Sequence, residues 1–231
     1  MLKKFSRQQA VLALILLVPA PSIGVMMSVF IAPGGIGQTV FTAIKIWLIA
    51  FPIIWTWRVE RGQIIPFSWF RRQGIQAGVL LGLLMFGVIV GAYWLLGQSW
   101  IEAEATRAKA QEVGITGPWI FLAGAAYWTF INALIEEYIW RGFVYRHCES
   151  LISGIGAVSL SALFFTIHHT IALTGYFQDW RVIILGSLGV FSAGAIWSGC
   201  CLKYRSLWPS YLSHMLADGA IALVGWHMLF G

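Results

Sequence analysis

Residues 74–97 read GIQAGVLLGLLMFGVIVGAYWLLG, an unbroken run without one charged side chain. About 20 mainly apolar residues, rising 1.5 Å each as a helix, cross the hydrocarbon of a bilayer. This stretch is therefore a membrane span. Similar runs flank it, at 8–31, 39–57, 118–145, 156–173, 182–202 and 207–230. The composition agrees, with 59% of the 231 residues apolar and 10% charged. Soluble domains carry about 25% charged residues, so a soluble globule is excluded, and disorder fails on the same count. The expected fold is all-α, a polytopic bundle of seven to eight transmembrane helices forming one integral membrane domain over 1–231. Its N-terminal helices fill 1–97.

Lys3-Lys4 followed by an apolar run resembles a signal peptide, but Pro19 and Pro21 make a poor cleavage site. The run reads as a retained first helix, kinked at those prolines. The fifth span is short and could hide a break. Glycines at 74, 78 and 82, at 186 and 189, and at 194 and 199 suit close helix packing.

The basic residues orient the bundle. With the N-terminus cytoplasmic, one side holds Lys3, Lys4, Arg7, Arg58, Arg61, Arg71, Arg72, Arg146, Lys203 and Arg205. The other holds Arg107, Lys109 and Arg181, in keeping with the positive-inside rule. The net charge of +6 thus reads as cytoplasmic loops at a lipid bilayer, not as a nucleic-acid surface. The loop 98–117 is expected to carry a short amphipathic surface helix. Cys148, Cys200 and Cys201 lack disulfide or metal spacing and read as small apolar helix residues.

Charge at bilayer depth costs at least about 2.5–3.5 kcal/mol per group and asks for a reason. The candidates are Lys45, Glu136, Glu137, Arg141, His168, His169, His214, Asp218 and His227. Lys45 is expected to snorkel and His227 to meet the interface. In Asn132-Ala-Leu-Ile-Glu136-Glu137-Tyr-Ile-Trp-Arg141, Glu137 and Arg141 stand i and i+4 and can pair on one face. Glu136 lies about 100° around, on the face of Asn132, without a cation of its own helix. A carboxylate left so suits general acid–base work. His214 and Asp218 are again i and i+4. Counting about 1.5 Å per residue from the cytoplasmic side, Glu136, His168, His214 and Asp218 lie about 15, 17, 12 and 18 Å deep. One polar cavity could hold all four, provided the fifth span starts after the Gly154–Gly156 break.

Together these residues resemble the CAAX-protease and bacteriocin-processing family, also called the Abi family or type II CAAX prenyl endopeptidases. The pattern there is Glu-Glu-x-x-x-Arg, Phe-x-x-x-His and His-x-x-x-Asn/Asp. Here it stands as Glu136-Glu137-x-x-x-Arg141, Phe164-x-x-x-His168 and His214-x-x-x-Asp218, within a core at 118–219. The resemblance implies an intramembrane protease in which Glu136 and His168 activate water. His214 and Asp218 would take the oxyanion positions, with Asp218 orienting His214, and Glu137 and Arg141 would hold the helix. Phe165-x-x-x-His169 fits the same short motif, so His169 is a second candidate. The family has also been described as metal-dependent, and zinc on Glu136, His168, His214 and Asp218 is the alternative. No His-Glu-x-x-His is present, and a metal-free site without a cofactor is favoured. The implied substrates are membrane-associated peptides or proteins, lipidated ones included, and the implied location is a bacterial inner membrane. A non-proteolytic scaffold is the remaining alternative.

Overall fold

The computed structural model describes residues 6–61 and 72–231; Lys3, Lys4 and Arg71 of the charge count lie outside them. The described chain is helical, without a strand. Six long apolar helices are α1 (Arg7–Ile31), α2 (Gly35–Arg58), α3 (Arg72–Trp100), α5 (Pro118–Leu151), α6 (Ile155–Tyr176) and α7 (Trp180–Tyr204). Between them lies the surface helix α4 (Ala103–Glu112), and α8 (Trp208–Phe230) closes the chain. Every expected span is a helix.

Six of these pass as spans on length and composition alone. The seventh, α8, is long enough at 23 residues. His214, Asp218 and His227 dilute its apolar character, the mark of a helix whose polar face turns into a bundle. It packs most extensively against α3. A Cβ on Gly78 would stand 2.6 Å from the Pro209 carbonyl oxygen, and one on Gly82 2.6 Å from Leu216. The glycine stripe of α3 thus lets the α8 backbone come close, as the sequence suggests. Gly189 and Gly199 have open space around them and play no such part.

The breaks follow the local chemistry. The first helix breaks at Val18, and its second segment starts at Pro19, where a missing N–H costs nothing. Gly154 takes φ +62°, a conformation open to glycine, and turns α5 into α6. So α6 starts at Ile155, and it runs unbroken to Tyr176. Helix α5 is the hub, touching α1, α2, α6, α7 and α8. Its outer half faces outward, whereas every residue from 139 to 148 is buried. The amphipathic α4 has no buried residue, and Arg107 within it donates to the carbonyls of Met228 and Gly231 at the end of α8. The three cysteines are buried and unpaired.

Candidate active site

The inner half of α5 sets the site. Two π-helical segments, Tyr127–Asn132 and Glu137–Val144, bracket the single α turn that ends at Glu136. Such widened turns recur at functional sites because they shift side chains relative to a regular helix. Asn132 and Glu136 still share a face, and the Asn132 amide donates to Glu136 Oε1 at 2.9 Å. Glu137 and Arg141 pair at 3.0 Å with side chains 0% and 1% exposed. The Arg141 guanidinium is further held between the rings of Phe165 and Trp197, 4.5 and 4.8 Å from their centres.

Helix α8 supplies the imidazole around which the carboxylates gather. His214 Nδ1 lies 2.8 Å from Glu137 Oε1. Its Nε2 faces Glu136 Oε2 at 3.8 Å and Asp218 Oδ1 at 3.7 Å. Trp197 stacks on the ring at 4.0 Å and 17°, and donates its own N–H to Ser213. The orienting carboxylate of His214 is therefore Glu137 on another helix, not Asp218 one turn on. An i,i+4 spacing within α8 gave no sign of a partner 77 residues away.

Helix α6 brings two histidines. The His168 ring lies flat on Trp140, 5.1 Å away and 6° from parallel. His169 has Nδ1 2.9 Å from the Phe165 carbonyl oxygen. The charged groups acting on Glu136 are His169, His214 and Lys45. Those acting on His168 are His169 and Lys45. Both histidines thus share surroundings with Glu136: His169 interacts with it directly, while His168 shares Lys45 and lies against His169, ring centres 4.1 Å apart.

Three polar residues behave differently from their sequence reading. Lys45 does not snorkel: α2 starts at Gly35, which sinks Lys45 a turn deeper than the expected span, and its Nζ donates to Asn132 Oδ1 at 2.9 Å. His227 Nδ1 meets the Tyr93 hydroxyl at 2.9 Å inside the α3–α8 seam. Arg146, counted as a loop charge, is buried 3.8 Å from Glu60, while His147 Nε2 lies 2.9 Å from the same carboxylate. That cluster joins α2 to α5 below the site and had no motif to announce it.

Among the described residues no group of three or more His, Cys, Asp or Glu side chains is arranged to hold a metal ion. The Glu136 and Asp218 oxygens stand on the Nε2 side of His214, but Glu136 Oε1 is committed to Asn132 and Glu137 to Arg141.

The molecule is thus a multi-pass integral membrane protein with a buried carboxylate–imidazole centre on α5, α6 and α8. Residues 117–220 match the family model described as type II CAAX prenyl endopeptidase Rce1-like. This segment is thus similar to a family of membrane endopeptidases, over the part of the chain that carries the carboxylate and histidine motifs. No curated protein and no solved structure matches the chain.

Proposed function

We propose that the protein hydrolyses membrane-associated, prenylated substrates with Glu136 as a metal-free general base. The observation that carries this reading is the crowding of Glu136 and Asp218 onto Nε2 of a buried His214 whose other nitrogen meets Glu137. Asn132 holds one Glu136 oxygen and leaves the other toward His214. Glu136 takes a proton from water, and the hydroxide oxygen bonds to the scissile carbonyl carbon. His214 donates from Nδ1 to Glu137 and from Nε2 to the oxyanion that forms. Fixed donors in a water-poor site stabilise such charge far more than bulk water does. Protonated Glu136 then passes its proton to the leaving nitrogen as the C–N bond breaks, giving one carboxylate product and one amine.

His169, within the field of Glu136, orients the attacking water; His168 packs on Trp140. Asp218 balances the charge of His214 from the Nε2 side. The site opens to the cytosolic side of a bacterial inner membrane, with the N-terminus in the cytosol. Purified protein in detergent, given a farnesylated peptide ending in Cys-aliphatic-aliphatic-x, is expected to release the C-terminal tripeptide, read by mass. Cleavage should persist in a chelator. Loss in the chelator with recovery on zinc would replace the metal-free mechanism, and absence of cleavage would favour a scaffold.

A further inference from the structure

The matched segment starts at residue 117, yet the site does not end there. Lys45 on α2 reaches across to α5 and donates to Asn132 Oδ1 at 2.9 Å, and Asn132 in turn donates to Glu136 Oε1 at 2.9 Å. An ammonium has only protons to offer, and an amide has one face of each kind. Lys45 therefore fixes which way the Asn132 amide points. With Oδ1 bound to the lysine, only the NH₂ end can face Glu136. A reversed amide would set its oxygen against the carboxylate and expel it.

The lysine itself is held in place. Its Nζ stands 5.7 Å from the Phe41 ring centre and 5.3 Å from that of Trp128, an aromatic setting that favours a cation. From Lys45 to the start of α2 at Gly35 is about 15 Å of helix, farther than the side chain extends. A cation at this depth needs a partner, and the partner is the amide that serves Glu136.

We infer that Lys45 is a positioning residue of the active site, acting through Asn132 to aim the Glu136 carboxylate. The inference rests on the reading of Glu136 as the base. It places part of the machinery on the N-terminal helices, which carry no family motif.

Two measurements on purified full-length protein test it. With the farnesylated Cys-aliphatic-aliphatic-x peptide, Lys45→Met lowers kcat on the order of 100-fold with little change in KM, since misaiming a reacting group costs rate more than binding. Lys45→Arg restores most of the rate. In an Asn132→Ala background, Lys45→Met costs less than about 3-fold more, because the two act in series. Equal losses in both backgrounds, or a rise in KM alone, would overturn the inference. The second measurement needs no substrate. Subtracting the Glu136→Gln infrared spectrum isolates the Glu136 carboxylate band; Lys45→Met shifts that band and Lys45→Arg leaves it in place. An unmoved band in Lys45→Met overturns the inference. Full cleavage by Glu136→Gln would instead remove the proposed base, and the band then decides Lys45 alone.

Discussion

At the scale of single residues the energetics centre on Glu137. Its carboxylate bonds Arg141 in its own helix and His214 on α8, so one buried anion ties two elements. Replacing one partner of a buried pair strands the other's charge, at a cost of about 3–5 kcal/mol. Arg141→Ala is therefore expected to lower folded yield in detergent by size-exclusion chromatography, with activity falling alongside. Normal yield and activity would show that the pair contributes nothing. The two histidines separate more cleanly. His169→Ala should abolish peptide cleavage at normal yield, while His168→Ala, which removes a ring from Trp140, should cost yield more than turnover per folded molecule. The reverse pattern would return the role to His168. The Glu137–Arg141 pair and the Asn132–Glu136 contact were legible because they are i,i+4 neighbours, and helical spacing alone brings them together. Contacts between helices were not. Lys45 to Asn132 and His214 to Glu137 span 87 and 77 residues, and no local periodicity encodes such a distance.

At the scale of elements, the site is assembled by how α8 sits on α3. Gly78 faces the Pro209 backbone, and a new methyl group there has a carbonyl oxygen 2.6 Å away, with no flexible side chain to yield. Overpacking of this kind typically costs about 1–3 kcal/mol. Gly78→Ala should push the start of α8 outward, lowering thermal stability and displacing His214 and Asp218 from Glu136. Gly87, with open space around it, is the control, and Gly87→Ala should be silent in both readouts. Equal effects at the two positions would count against the close-packed seam. The seven helical stretches were legible from apolar runs, since a bilayer imposes one length on every span. The wider turns around Glu136 were not, because a π segment reflects tertiary packing and leaves no compositional trace.

For the whole molecule, the proposed topology has seven helices crossing the bilayer, α8 joining the six that qualify on length and composition. Under the topology proposed from the positive-inside count, the start of α1 lies in the cytosol and α4 outside. Arg107 of α4 bonding the last turn of α8 fits that arrangement, as it joins two segments assigned to the same side. A membrane-impermeant thiol reagent on intact cells should label a cysteine placed at Glu104 and spare one placed at Arg58. Labelling of Arg58→Cys, with Glu104→Cys protected, would invert the topology and open the site to the other side.

The proposed hydrolysis depends on Glu136 as its base. Glu136→Gln keeps the size of the side chain and its hydrogen bond with the Asn132 amide while removing the basic oxygen. Cleavage of the farnesylated peptide by the purified variant, measured at wild-type folded yield, is expected to fall by about 10²–10⁴-fold. Turnover by folded Glu136→Gln at the wild-type rate would contradict it.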